Sequence, residues 1–126
     1  MSKSPILIVE DQADLRKLIR MTLSFGPYEV HEADNGESAV HMAKALRPKL
    51  AFMDVMMPGL IDGYQACAQI KEMPDLAGIK IVMLTARGQE EDLAAGKRAG
   101  ADAYLTKPFS PLELIDVAER LLKKAA

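Results

Sequence analysis

The sequence predicts an α/β protein with a five-stranded parallel sheet, strand order 2-1-3-4-5, and helices on both faces. Three observations predict it. Short apolar runs alternate with longer stretches of helical periodicity. Most of the runs are too continuous for strands with one wet face, as expected in a sheet buried on both sides. The order is strand then helix, five times over, and right-handed crossovers fold such a chain into a doubly wound sandwich of five helices around the sheet.

The elements follow in order. The first strand is read in "PILIVE" (5–10). Leu15, Leu18, Ile19, Thr22 and Leu23 make a helical stripe that Gly26-Pro27 ends. "YEVHEA" (28–33) is the second strand. The turn "DNGE" opens a helix carrying Ala39, Met42, Ala43 and Leu46, closed before Pro48. "LAFMD" (50–54) is the third strand, followed by a helix from Tyr64 to Met73. "KIVMLT" (80–85) is the fourth, followed by a helix over Gln89 to Ala99 that stops at Gly100. "AYLT" (103–106) is the fifth. Ser110-Pro111 then caps a last helix bearing Leu112, Ile115, Ala118, Leu121 and Leu122.

A chain of 126 residues with 49% hydrophobic and 27% charged residues suits one domain, residues 1–126, with residues 1–4 and 125–126 as disordered ends. The net charge of −2 contains no block of like sign, which weighs against direct nucleic-acid binding. No apolar run approaches transmembrane length, and the run Ile6 to Val9 is too short for a signal peptide, so no membrane insertion is expected. Cys67 is the single cysteine, so a reducing, cytoplasmic setting fits.

With the flavodoxin-like order 2-1-3-4-5, ligands sit at the carboxyl ends of strands 1 and 3. Strand 1 ends in Glu10 and Asp11, and strand 3 in Asp54. Three close carboxylates repel one another, and a divalent cation relieves this. Hard oxygens with room for water suit Mg²⁺, with Mn²⁺ as a substitute. Thr85 ends strand 4, and Lys107-Pro108 follows strand 5. A cation, a hydroxyl and a lysine are the set that holds a phosphoryl group. Aspartate can form an acyl phosphate, and Asp54, alone at the centre of the sheet, is the expected nucleophile. Taken alone, Thr85 would read as a strand filler and Lys107-Pro108 as a turn; their company makes them ligands.

The motifs "ILIVEDQADLRKLI", "MDVMMPG", "IVMLTARG" and "AGADAYLTKPF" resemble the receiver domain of two-component response regulators, the CheY-like fold, over about the whole chain. The resemblance implies that Asp54 takes a phosphoryl group from a sensor histidine kinase or a phosphotransfer protein. It implies that Glu10 and Asp11 hold Mg²⁺ with the Asp54 carboxylate and the Met56 backbone carbonyl. Thr85 and Lys107 would bind the phosphoryl oxygens, and Tyr104 would move inward with Thr85. It also implies a cis peptide between Lys107 and Pro108. Met56 and Arg87 would tune hydrolysis of the acyl phosphate. The face formed by helix 4, strand 5 and helix 5 would be read by a downstream target or effector, and phosphorylation would promote a homodimer there.

Three departures from the family pattern stand out. Glu10 replaces a frequent aspartate, and Lys49 stands where aspartate is common. "MPGLIDG" carries Leu60 and Ile61 where one residue is usual, lengthening the loop beside Asp54. The chain is expected to signal rather than to turn over a separate substrate, because Met56 stands where an aspartyl phosphatase would carry a second catalytic aspartate. A flavodoxin-like electron carrier would need a phosphate-cradling loop where "EDQAD" stands.

Overall fold

The computed structural model describes residues 3–86, 94 and 97–125, with backbone alone at 124 and 125. In chain order the elements are β1 (Ser4–Val9), α1 (Ala13–Leu23), β2 (Tyr28–Ala33), α2 (Gly36–Leu46), β3 (Leu50–Asp54), α3 (Gly63–Glu72) and β4 (Lys80–Thr85). A helix α4 follows, helical at residues 94 and 97–99. Then come β5 (Ala103–Thr106) and α5 (Pro111–Ala125). The rest of the helix expected over Gln89–Ala99 lies outside the described residues, and so does Arg87.

The strands form one sheet in the order β2-β1-β3-β4-β5, every neighbouring pair parallel. Alternation along the strands splits the core in two. Leu7, Val9, Ala51, Met53, Ile81 and Met83 face α2 and α3, where Ala39, Ala43, Ala66, Cys67 and Ile70 cover them. Ile6, Ile8, Leu50, Phe52, Val82 and Leu84 face α1 and α5, where Ile19, Leu23, Leu114, Ala118 and Leu121 cover them. Each large side chain fully buried in these layers stabilises the fold by roughly 1.5–3 kcal/mol.

The helix ends have identifiable stops. Asn35 caps α2 by accepting from the Ser38 amide at 2.8 Å, and Arg47 ends that helix at φ 47° before Pro48. Asp62 opens α3 with a capping box: its carboxylate accepts from the Gln65 amide, and the Gln65 side chain accepts from the Asp62 amide. The start of α3 is therefore well specified despite the lengthened loop before it.

Several boundaries differ from the expectation, and α3 begins and ends one residue earlier than Tyr64–Met73. β1 ends at Val9, one residue before Glu10. Ser4, expected in a disordered end, pairs with Tyr28 and donates its amide to the Pro27 carbonyl at 3.0 Å. At the other end α5 runs to Ala125, because Lys123, Lys124 and Ala125 are good helix formers and lysines suit a helix C-terminus.

Candidate functional site

The carboxyl ends of β1 and β3 lie side by side, because Val9 pairs with Met53 in the sheet. Glu10 and Asp54 are the next residues along, and Asp11 follows Glu10. One carboxylate oxygen from each of Glu10, Asp11 and Asp54 can be chosen so that all three lie within 4.8 Å of one another. Glu10 is fully buried and Asp54 is 5% exposed, whereas Asp11 stands on the open rim. The cleft is thus lined by two desolvated carboxylates with a third at its mouth. This oxygen-only donor set fits a hard divalent cation of the Mg²⁺ type.

Lys107 closes the other side. Its Nζ donates to Glu10 Oε1 at 2.9 Å and lies 3.3 Å from Asp54 Oδ2. The peptide from Lys107 to Pro108 is cis. The Lys107 amide donates to the Thr85 carbonyl at 2.6 Å, which ties the β5–α5 connection to the end of β4. Burial pushes the Glu10 carboxyl up to about 7; Lys107 opposes this and the neighbouring Asp54 adds to it. Burial by itself would lower the Lys107 ammonium, yet its bond to Glu10 and the charge of Asp54 hold it above its ordinary value. Desolvation thus weighs on both members of the pair, and Glu10 has no exposed surface.

Thr85 is fully buried at the end of β4, and its Oγ1 has no hydrogen-bond partner among the described residues. Buried hydroxyls are seldom left so, and those that are need an explanation. Met56 follows β3, is 76% exposed, and donates its amide to Asp54 Oδ1 at 3.3 Å. Gly63 lets α3 begin directly against the site: a Cβ there would lie 2.0 Å from the Asp54 carbonyl oxygen. Its amide donates to the Val55 carbonyl at 3.1 Å.

Residues 6–119 match the family model for the response regulator receiver domain. The chain belongs to this family. The receiver domain is 39% identical over 125 residues to the transcriptional regulatory protein ResD of Bacillus subtilis (strain 168), a match covering 99% of this chain and 50% of that protein. The chain thus spans about half the length of the curated relatives it matches. Among solved structures it resembles the chemotaxis response regulator CheY4 of Vibrio cholerae, with a TM-score of 0.89 and 29% identity, covering 95% of this chain and 99% of that one. It equally resembles the receiver domain of a sensor histidine kinase from Pseudomonas aeruginosa PAO1 with a magnesium ion coordinated in the active-site cleft. That likeness has a TM-score of 0.89 and 31% identity, over 97% of this chain and 99% of the other.

Within this receiver domain the expected residues Glu10, Asp11, Asp54, Thr85 and Lys107 meet at one edge of the sheet. Tyr104 lies one strand over, on β5, half-buried against the α2–α3 side of the core. Burial holds its phenol above the ordinary value, with the Cys67 thiol adding to the effect. Among the described residues no helix is long and apolar enough to cross a membrane.

Three supporting residues escaped the sequence reading. Arg16 of α1 donates from Nη1 to the Glu10 carbonyl at 2.7 Å and from Nε to Glu32 of β2 at 2.9 Å. Arg20 pairs with the same carboxylate. Glu37, in the first turn of α2, accepts from the Ile61 amide at 2.9 Å. Each looks in sequence like a charge on a solvated helix face, and no local pattern marks it otherwise.

Proposed function

We propose that this receiver domain is the phosphoacceptor of a two-component phosphorelay, with residues 1–126 acting as one module. Asp54 Oδ attacks the phosphorus of a phosphohistidine on a sensor kinase or phosphotransfer protein. The new O–P bond forms as the P–N bond breaks, and the departing imidazole takes up a proton. Glu10, Asp11, the Asp54 carboxylate and the Met56 carbonyl would hold Mg²⁺, with Mn²⁺ as a substitute. Bound there, the ion neutralises the oxygens of the transferring phosphoryl group.

The observation that carries this reading is the placement of Lys107 and Thr85 around Asp54. The lysine already spans Glu10 and Asp54 at 2.9 and 3.3 Å. The buried Thr85 hydroxyl has no partner among the described residues, and a phosphoryl oxygen on Asp54 would supply one. Filling that bond draws Thr85 toward Asp54 and lets Tyr104 follow inward. A small charge change at the acceptor thereby biases the face made by α4, β5 and α5. A downstream target, an effector domain or a second copy of the chain reads that face in the cytoplasm. Water attack on phosphorus later breaks the O–P bond, restoring the carboxylate and releasing phosphate. Met56 and Arg87 tune that step, and no turnover on a separate substrate is involved.

Incubation with acetyl phosphate and Mg²⁺, followed by intact mass, tests the reading. The expected result is a gain of one phosphoryl group that disappears in Asp54→Ala and in the presence of a chelator. A protein that gains no mass under any of these conditions would overturn it.

A further inference from the structure

The loop between β3 and α3 carries Met56 past Asp54 and then crosses to α2. Its far end is tied down by one side chain. Glu37 Oε1 accepts from the Ile61 amide at 2.9 Å. The same carboxylate sits against Gly59, whose φ is +115°. A Cβ at Gly59 would lie 2.9 Å from Glu37 Oε2, so the loop backbone and the carboxylate approach closely. Gly36, the first residue of α2, permits the approach from the other side: a Cβ there would lie 2.9 Å from the Ile61 carbonyl oxygen. The Ile61 side chain completes the anchor by packing against the α2–α3 side of the core. Leu60 between them is 89% exposed and takes no part in it.

We infer that Glu37 is a positioning residue for the phosphoryl-transfer site. It fixes the lengthened loop against α2 and thereby holds Met56 facing Asp54. The physical reason is one of leverage. The loop leaves the sheet at Val55, where the backbone is pinned by the Val55 amide to the Leu84 carbonyl at 3.1 Å. It re-enters regular structure at the Asp62 cap. Between these points the Met56 amide bonds Asp54, and the Ile61 amide bonds a charged carboxylate carried by another element, α2. Charge-assisted bonds of this kind are about twice as strong as neutral ones. Asp11, Asp34, Asn35, Pro58 and Gly59 line the same opening as Glu37, so the anchor borders the acidic cleft itself. Releasing it would free the Met56 amide from Asp54 and blur the position of the Met56 carbonyl.

This inference rests on the proposed role of the cleft, and the test separates the two. Amide exchange would be followed by NMR in the wild type, Glu37→Ala and Glu37→Gln, and each would be titrated with Mg²⁺ alone. Glutamine keeps an acceptor oxygen and is the rescue variant. In Glu37→Ala the amides of both Ile61 and Met56 should exchange about tenfold faster, and Mg²⁺ affinity should fall about tenfold, the scale seen when outer-shell partners of metal ligands are lost. Glu37→Gln should lie closer to the wild type than to Glu37→Ala. Unchanged exchange at Met56 in Glu37→Ala, or a glutamine variant as impaired as alanine, would overturn the positioning role. A wild type without Mg²⁺-dependent shifts at Glu10, Asp11 and Asp54 would instead sink the reading of the cleft. The Met56 exchange comparison would still decide the role of Glu37.

Discussion

Lys107 donates to Glu10 at 2.9 Å across 97 positions of chain, and the same ammonium reaches Asp54. It is the cation of a cluster that otherwise holds three carboxylates. Removing it takes the ion-pair partner from a fully buried Glu10 that faces Asp54. In Lys107→Met, measured with a chelator present, folding stability should fall by about 1–3 kcal/mol, the scale for orphaning a buried partner. A urea midpoint equal to that of the wild type would show that the lysine has no structural part. Adding Mg²⁺ should recover part of the loss, because the ion replaces the missing charge.

Gly63 gives a sharper steric test. Its added Cβ would sit 2.0 Å from the Asp54 carbonyl oxygen, a backbone atom in the central strand. Neither β3 nor the capped start of α3 can retreat without breaking core packing. Gly63→Ala should therefore lower stability by about 3 kcal/mol. It should also impair phosphorylation more than its stability loss predicts, because the displaced atom belongs to Asp54, the proposed acceptor. A denaturation curve superimposable on that of the wild type would contradict the geometry.

Thr85 separates stability from switching. Its buried hydroxyl has no partner among the described residues, so Val at this position removes a polar group that gains nothing in the fold. Thr85→Val should change stability by less than about 0.5 kcal/mol, or raise it. The response to beryllofluoride and Mg²⁺, read as shifts at Tyr104, should be lost. A variant that is clearly destabilised yet responds normally would mean that the hydroxyl serves packing instead.

Cys67 supplies the pH test. Its thiol is buried on α3 and donates to the Ala99 carbonyl at 3.4 Å. Burial pushes it from 9.0 to about 11, with Lys71 pulling it down and Asp102 pushing it up. Tyr104 also interacts with it. A raised pKa means that the fold holds the proton more tightly than the unfolded chain does. The contribution to stability is complete below pH 9.0 and is lost as pH rises through about 11. The urea midpoint of the wild type should fall more across that window than that of Cys67→Ala. At about pH 8 the native thiol should resist a disulfide reagent that modifies it at once in urea.

Much of this protein can be read from its residues in order. The five apolar runs mark the strands, because a strand buried on both faces leaves a local hydrophobic signature. Strand order follows from alternation and handedness, and with it the convergence of Glu10, Asp11, Asp54, Thr85 and Lys107 on one edge. Residues at strand ends are placed by topology, so no side-chain detail is needed to bring them together. Tertiary structure alone decided the rest. That Arg16 holds the Glu10 carbonyl, that Glu37 anchors Ile61, and that Gly36, Gly59 and Gly63 are points of close approach depend on how helices sit on the sheet. Those placements are set by the packing of many side chains at once. A charged residue on a helix looks the same in sequence whether it faces water or ties down a loop, because periodicity reports which face is apolar and says nothing of what the polar face can reach.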